Sequence, residues 1–322
     1  MKAVIFNREL KFVEDYEKPE LKENEVLIKP KMLGICNTDE EITKGYMGYN
    51  GVLGHEFVGI VEDVYDKKHS SIKGKRVAGE INLGCNNCID CFNNLQRHCK
   101  NRQTLGIFNK DGCFSEYFTL PFSNLVLIPD NVDDETAVFV EPLAAAYEIF
   151  EQIQIKPMDK VAILGDGKLG LCISTVMSAM NVDYVHIGKH IEKLQITKNA
   201  GGKIKLLDEI KEDELKTYDI VIEATGSVGG FETSLSLVRP RGILVLKSTI
   251  AAKEGLNLAS VVVDEITVIG SRCGRFEPVI RLMEKGKINT KPLITKILPF
   301  EDALKGFELN RQKDTIKILL KV

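Results

Sequence analysis

The chain shows two different patterns of apolar and polar residues, one in each of two parts. From residue 1 to about 140, short alternating segments such as Glu25–Lys29 and Phe57–Val61 are broken by Gly, Pro and Asn, which is typical of β-strands. From about 141 to 275, short apolar runs alternate with helical stretches such as Leu169–Met180. The runs are Val161–Leu164, Tyr184–Ile187, Ile204–Leu206, Ile220–Ile222, Gly242–Leu246 and Ile266–Ile269. This second pattern predicts βαβ units and a parallel sheet.

The last segment contains one helix and one strand. An amphipathic helix is predicted for Phe300–Leu309 and a final strand for Ile316–Leu320. The chain has 322 residues, which suits two domains that each bury their own core. We therefore expect an α/β protein with a β-rich part and a doubly wound part.

Composition and charge exclude several classes of protein. The net charge of −3 at pH 7 leaves no large basic field for nucleic acid or an anionic membrane surface. The apolar runs are far shorter than the ~18 residues of a membrane span. The first residues lack the long apolar region of a secretory signal, because charged side chains follow after a few positions. We expect a cytoplasmic protein that binds neither nucleic acid nor membrane.

Four of the eight cysteines crowd into one short segment, at Cys85, Cys88, Cys91 and Cys99. Four thiolates with two-residue gaps can wrap one tetrahedral zinc ion, and they leave no open position for substrate. The surrounding residues are mostly polar, so the loop needs the metal for its shape. The pattern predicts a structural zinc site; the alternative is four reduced thiols without metal.

A glycine motif follows the first apolar run of the second part. Gly165-Asp166-Gly167-Lys168-Leu169-Gly170 fits G-x-G-x-x-G and opens a predicted helix, which is the context of a dinucleotide site. The glycines serve the tight turn, the approach to a pyrophosphate and the packing of helix on strand. The helix N-terminus then offers N–H groups to phosphates. The alternative is a structural turn without ligand.

The end of the second predicted strand reads Ile187-Gly188-Lys189-His190, with no carboxylate. In NAD-binding folds, an acidic residue about 20 positions after the glycine motif hydrogen-bonds the ribose 2′-OH. A small residue followed by two cationic ones instead accommodates a 2′-phosphate, so this turn favours NADP over NAD. The alternative is that Lys189 and His190 form only a solvated turn. Lys168 either reaches a phosphate or points to solvent.

Three further segments carry possible metal ligands. They are Gly34-Ile35-Cys36-Asn37-Thr38-Asp39, Gly54-His55-Glu56 and Val140-Glu141-Pro142-Leu143. Together they supply a thiolate, an imidazole and two carboxylates, which matches an open zinc site with room for substrate. For Glu141 the alternative is a charge favoured by the helix dipole at a first turn.

Taken in order, these motifs resemble the zinc-containing medium-chain alcohol dehydrogenase superfamily across essentially the whole chain. Within it the sequence resembles the polyol, sugar and threonine dehydrogenase branch, because Glu141 stands where alcohol dehydrogenases proper often carry a second cysteine. The resemblance implies a GroES-like catalytic domain from residues 1–142 and 295–322, with the zinc lobe at about 85–99. It implies a Rossmann dinucleotide-binding domain at residues 143–294.

The resemblance also implies residue roles. Cys36 and His55 would be ligands of a catalytic zinc. Glu56 and Glu141 would be the carboxylate positions, one bound directly and the other directly or through water. Asp39 would orient the ligating histidine, and Thr38 would accept the substrate's proton. Lining the cofactor would be Ala224, Thr225, Gly226, Ser271 and Arg272.

The function implied is hydride transfer between NAD(P) and an alcohol or carbonyl, with a polyol, sugar or secondary alcohol as substrate and two zinc ions per chain. Relatives of this kind form homodimers or homotetramers. One departure is Asn37, which stands where many relatives have histidine or arginine. Two alternatives are a zinc-independent enone or quinone reductase, against which Cys36, His55 and Glu141 argue, and a non-catalytic cofactor-binding paralogue.

Overall fold

A computed structural model of the chain describes residues 1–249 and 258–322. The chain forms two compact units. The first unit comprises Met1–Glu141, Phe276–Lys285 and Ile294–Val322. The second unit comprises Pro142–Arg275 and Gly286–Leu293.

The strands of both units are numbered in chain order. They are β1 (Ala3–Asn7), β2 (Glu9–Val13), β3 (Glu25–Gly34), β4 (Gly51–Val52), β5 (Glu56–Val64), β6 (Arg76–Gly79), β7 (Asn82–Leu83), β8 (Gln103–Leu105), β9 (Asn109–Lys110), β10 (Phe118–Pro121), β11 (Leu125–Leu127), β12 (Val161–Leu164), β13 (Tyr184–Gly188), β14 (Lys203–Leu206), β15 (Tyr218–Glu223), β16 (Val238–Leu246), β17 (Thr267–Gly270), β18 (Ile294–Pro299) and β19 (Lys317–Lys321).

The α-helices are numbered in the same way. They are α1 (Asn37–Thr43), α2 (Ile89–Phe92), α3 (Asp134–Ala137), α4 (Val140–Gln152), α5 (Lys168–Ala179), α6 (Ile191–Asn199), α7 (Val228–Leu237), α8 (Ala259–Val263), α9 (Phe276–Glu284) and α10 (Ala303–Asn310). Short 3₁₀ turns lie at Tyr46–Gly48, Lys67–Ile72, Gln96–His98, Phe122–Asn124, Leu207–Glu209, Glu212–Glu214, Lys291–Leu293 and Phe300–Asp302.

The first unit is built on a seven-stranded sheet with the order β11-β6-β5-β3-β19-β18, in which β10 also pairs with β3. Strand β3 lies between β5 and the C-terminal strand β19, and both pairs are antiparallel. Gly34 therefore faces Glu56 on one side and Leu319 on the other. This register brings the end of β3, the start of β5 and the last strand of the chain together.

One apolar core joins the two ends of the chain within the first unit. Phe114 and Phe307 contact each other edge to face at 6.1 Å between ring centroids, and Phe12 contacts Phe300 at 5.5 Å. All but Phe12 are buried. Edge-to-face aromatic pairs add to the free energy of burial. The C-terminal segment is thus an integral part of this unit.

The second unit is a six-stranded sheet with the order β14-β13-β12-β15-β16-β17, and each neighbouring pair is parallel. The apolar runs predicted as strands form this sheet, and Val161–Leu164 is buried throughout, as is typical of parallel strands that are covered on both faces. The strand order reverses between β12 and β15, and ligands of such sheets bind at the carboxyl end of this switch point. The predicted α/β class with a doubly wound parallel sheet is confirmed.

No helix in the described ranges 1–249 and 258–322 combines the length and apolar character needed to cross a bilayer.

Candidate metal and cofactor sites

The residues after β3 form a tight turn into helix α1, and Cys36 is its N-cap. The Cys36 sulfur accepts the backbone N–H of Thr38 at 3.5 Å, while Asp39 Oδ2 accepts the N–H of Cys36 at 2.9 Å. This reciprocal cap is the reason for the spacing between Cys36 and Asp39. It fixes the thiol at the N-terminus of α1.

His55 is buried immediately before β5, and its ring is held next to an acidic side chain. Asp39 Oδ1 lies 3.2 Å from His55 Nδ1, which leaves Nε2 as the nitrogen able to ligate a metal. Burial alone would lower the pKa of His55, but the adjacent Asp39 and Cys36 raise that pKa well above its usual range. The predicted orienting role of Asp39 fits this geometry.

Glu56, the first residue of β5, forms a buried ion pair with Lys317 on β19. Lys317 Nζ lies 2.8 Å from Glu56 Oε1 and 2.5 Å from Oε2, and it also donates to the Ile35 carbonyl at 3.3 Å. Position 34 has no side chain, and a Cβ there would overlap the Glu56 carboxylate. The carboxylate is therefore charge-compensated and fixed in place.

The sulfur of Cys36, a ring nitrogen of His55 and a carboxylate oxygen of Glu56 all lie within 4.8 Å of one another. This donor set of one sulfur, one nitrogen and one oxygen suits zinc. The Thr38 hydroxyl lies 3.7 Å from the Cys36 sulfur. Glu141, at the start of α4, is half-buried and is not part of this close group, so its ligation remains a prediction.

The four crowded cysteines also converge, with their sulfur atoms within 4.8 Å of one another. Cys88 Sγ lies 3.6 Å from Cys91 Sγ and 3.7 Å from Cys99 Sγ. With zinc–sulfur bonds of about 2.3 Å, the edge of a tetrahedron is about 3.8 Å, so these distances fit one zinc ion. The N–H of Cys85 hydrogen-bonds the Cys99 sulfur and lowers the pKa of Cys99 to about 7.

The glycine motif lies at the carboxyl end of β12, as predicted. Gly165 has φ +116°, which favours glycine, and a Cβ on Gly170 would overlap the Gly165 carbonyl oxygen. Gly167 is the N-cap of α5, so Lys168 and Leu169 begin the helix. The buried His186 on β13 contacts the Gly165 carbonyl through Nε2 at 2.9 Å and holds the turn.

The turn Gly188-Lys189-His190 ends β13, and its backbone is bound by Asp166 of the glycine motif. Asp166 Oδ2 accepts the N–H groups of Lys189 and His190, each at 2.6 Å. The side chains of Lys189 and His190 are exposed. The structure thus brings the glycine motif and the strand-end turn into direct contact.

Two buried charges organise the remaining predicted cofactor segments. Glu223 Oε1, at the end of β15, accepts the N–H and the hydroxyl of Thr225 at 2.6 Å each, and the N–H of Gly226 at 3.2 Å. Lys247, after β16, donates to Ser271 Oγ and the Arg272 carbonyl at 3.0 Å each. Ala224 lies between Glu223 and Thr225 and is half-buried.

Lys317, Glu223 and Lys247 are buried charged residues that the sequence motifs did not identify. A signal was present, because each lies inside or at the end of an apolar strand run, where charged residues are rarely buried unless paired. The partner of Lys317 is Glu56, 261 positions away along the chain, so no local pattern reveals that pair.

Comparison with known proteins gives consistent matches over the whole chain. Residues 22–130 match the alcohol dehydrogenase GroES-like domain, and residues 134–322 match the glucose dehydrogenase C-terminus. L-threonine 3-dehydrogenase of Bacillus subtilis (strain 168) is 30% identical to this chain, and the match covers 94% of this chain and 92% of that protein.

A sorbitol dehydrogenase of Halalkalibacterium halodurans is 26% identical, with 96% of this chain and 94% of that protein covered. Among solved structures, the rspB alcohol dehydrogenase of Escherichia coli CFT073, in complex with NADH, superposes with a TM-score of 0.92 at 27% identity. The match covers 100% of this chain and 99% of that chain.

Proposed function

The chain belongs to the zinc-containing medium-chain alcohol dehydrogenase superfamily, and from this premise we propose that it is a zinc-dependent oxidoreductase of CH–OH donors, of the polyol, sugar or secondary-alcohol class. It transfers hydride between the substrate carbon and NAD(P). The observation that carries this proposal is the convergence of Cys36, His55 and Glu56 within 4.8 Å.

Two zinc ions per chain are part of the proposal. Cys36 and His55 hold the catalytic ion, with Glu56 and Glu141 as the carboxylate positions. The four sulfurs of Cys85, Cys88, Cys91 and Cys99 hold the structural ion. When bound, the catalytic zinc supplies a Lewis acid that lowers the pKa of an alcohol oxygen or polarises a carbonyl.

The residues around that ion each have a separate task. Thr38 accepts the alcohol proton at its hydroxyl and passes it toward solvent, since Asn37 offers no imidazole for a longer relay. Asp39 keeps His55 in its ligating orientation. Lys317 holds the Glu56 carboxylate and balances its charge. In alcohol oxidation the carbon loses hydride to the nicotinamide ring as the oxygen loses its proton.

The preferred cofactor is NADP. The end of β13 carries no carboxylate for a ribose 2′-OH, and the exposed Lys189 and His190 offer cationic groups for a 2′-phosphate. The phosphates of the dinucleotide bind at the glycine motif and the N-terminus of α5. Thr225, Gly226, Ser271 and Arg272 line the cofactor.

The protein is a homodimer or homotetramer in this proposal. The edge strand β17 and helix α8 carry exposed valines, which is a surface that a second copy can cover.

The first experiment follows reduced nicotinamide by absorbance with polyols, aldoses, 3-hydroxy amino acids and secondary alcohols, each with NAD⁺ and NADP⁺. Turnover of polyols or sugars with NADP⁺ is expected. Turnover with NAD⁺ alone would contradict the cofactor preference. No turnover by protein with two zinc ions per chain would contradict the substrate class.

A variant separates metal chemistry from cofactor binding. Cys36→Ser is expected to abolish turnover while the affinity for NADP⁺, measured by calorimetry, stays near the wild-type value. Loss of both together would contradict the separate roles of the two sites. Cys273→Ser, which changes a thiol outside both metal groups, is the matched control.

A further inference from the structure

The second residue of the glycine motif has an unusual environment for a loop residue. Asp166 is buried, and its carboxylate faces the turn at the end of β13 rather than solvent. Oδ2 accepts two backbone N–H groups, from Lys189 and His190, at 2.6 Å each. The His190 ring completes the contact, with Nδ1 3.1 Å from Oδ2 and 3.3 Å from Oδ1. Together these hydrogen bonds lower the pKa of Asp166, although burial raises it, so the group is ionised.

The same carboxylate occupies the space of the strand-end side chain. A Cβ added to Gly188 would lie 2.6 Å from both the Cβ and the Oδ2 of Asp166. Cβ atoms do not approach other atoms so closely in packed structures, so position 188 cannot carry a side chain while Asp166 is present. Position 188 is the last residue of β13 and lies 18 residues after Gly170, near the spacing of about 20 at which NAD-binding folds carry the carboxylate that accepts the ribose hydroxyl.

The hydrogen bonds of Asp166 and the absence of a side chain at Gly188 therefore belong to one arrangement. An acidic residue on the glycine motif excludes an acidic residue at the strand end, and it uses its own charge on the turn amides. What remains exposed at the turn is the pair of side chains of Lys189 and His190.

We propose that Asp166 and Gly188 form a coupled pair that determines cofactor specificity, in which Asp166 positions Lys189 and His190 for the 2′-phosphate of an adenosine ribose. This inference rests on the NADP preference proposed above. Asp166 is a positioning residue, because it acts on the phosphate through the turn.

The test measures binding of two cofactor fragments, 2′,5′-ADP and 5′-AMP, by calorimetry, so that turnover is not needed. The proteins are wild type, Asp166→Ala, Gly188→Asp and the double variant Asp166→Ala/Gly188→Asp. Asp183→Ala is the control, since it removes an exposed acidic charge at the other end of β13. Thermal unfolding checks that each variant is folded, and Asp166→Asn replaces Asp166→Ala if the latter does not fold.

Wild type and Asp183→Ala are expected to bind 2′,5′-ADP about tenfold more tightly than 5′-AMP, because charge-assisted hydrogen bonds to the phosphate are added. Asp166→Ala is expected to lose most of this preference. Gly188→Asp alone is expected to weaken both fragments, and the double variant is expected to recover 5′-AMP binding and to prefer it.

Two results would overturn the inference while leaving the NADP preference intact. One is an Asp166→Ala variant that prefers 2′,5′-ADP over 5′-AMP as strongly as wild type does, or more strongly. This would show that Asp166 either does not affect binding of the 2′-phosphate or repels it. The other is a double variant whose change in binding free energy equals the sum of the changes in the two single variants, which would show that the positions are not coupled. A wild type that does not distinguish the fragments would instead refute the NADP preference itself, together with the phosphate-positioning role.

Discussion

Lys317 is the residue whose removal tests the buried part of the proposed catalytic metal site. It compensates the carboxylate of Glu56 inside the first unit, where both side chains are almost fully excluded from water. Lys317→Met leaves that carboxylate buried without its cation. Removing one partner of a buried pair costs about 3–5 kcal/mol, so the free energy of unfolding should fall by this amount. Urea denaturation followed by circular dichroism measures the change.

Lys317→Arg is the matched control for this prediction, because it keeps a cation that can bind both carboxylate oxygens. It should retain most of the stability and the zinc content of wild type. A Lys317→Met variant that is as stable as wild type would show that Glu56 does not depend on this ion pair.

His186 makes the stability of the second unit depend on pH. Its Nε2 can only donate to the Gly165 carbonyl at 2.9 Å, so a neutral ring presents Nδ1 as an acceptor to the Thr197 hydroxyl at 2.7 Å. In that state the Thr197 proton is directed to the ring and not to Ser174 Oγ, which lies 3.0 Å from the same hydroxyl. Burial lowers the pKa of His186 below its usual value. As the pH falls, the unfolded chain therefore binds a proton before the folded chain does. The stability that the neutral ring provides is present above about pH 6.5 and is lost below it.

His186→Gln is expected to remove this dependence, because an amide can donate to Gly165 and accept from Thr197 at any pH. Between pH 7.5 and 5.5, wild type should lose stability relative to the variant by at most about 1.4 kcal/mol per pH unit. Unfolding curves at each pH give both slopes. Parallel slopes would mean that the pKa of His186 is not lowered in the folded state.

At the scale of elements, the proposed zinc lobe has little apolar support of its own. Within it Ile89 and Phe92 are exposed, and α2 has a single turn. In the proposed assignment one zinc ion on the four sulfurs holds its shape, so Cys88→Ser should reduce the zinc content from two ions to one per chain and expose the lobe to proteolysis. Metal analysis and limited proteolysis measure these effects. Cys172→Ser, at a buried cysteine of α5, should keep both ions; loss of zinc there would contradict the assignment.

The elements also show what the sequence could predict and why. The strands of the second unit were predictable because parallel strands covered on both faces are continuous apolar runs, as in Val161–Leu164. Cys36, His55 and Glu56 could be predicted as possible metal ligands because each belongs to a short local motif. The role of Lys317 and the contact of Asp166 with the turn could not be predicted from such motifs. The first results from the register of strands that are far apart in sequence, and the second from the contact of two loops.

Hydrophobicity alone also cannot tell a central strand from an edge strand. The run Ile266–Ile269 predicts a strand as strongly as the others, and either a buried strand or an interface explains it. The structure places β17 at the edge of the sheet, where three of its four residues are exposed and Ile269 is half-buried. Only the strand order distinguishes the two explanations.

At the scale of the whole molecule, that edge bears on the proposed assembly. Val262 and Val263 of α8 are 77% and 79% exposed, and Val268 of β17 is 39% exposed. An unprotected apolar edge strand is a template for pairing with another chain. A second copy that pairs its own β17 with this edge would cover the strand and the valines together.

Val268→Lys should therefore weaken self-association, because a lysine on an edge strand opposes pairing. Ile297→Lys is the control: Ile297 is 36% exposed and lies on β18, which is also a sheet edge, but in the first unit. Light scattering coupled to gel filtration gives the mass of each protein. If wild type is a dimer, Val268→Lys should become a monomer; if it is a tetramer, the variant should become a dimer, because a second interface remains. An unchanged mass in Val268→Lys, or an equal decrease in mass in Ile297→Lys, would mean that the copies do not associate through β17.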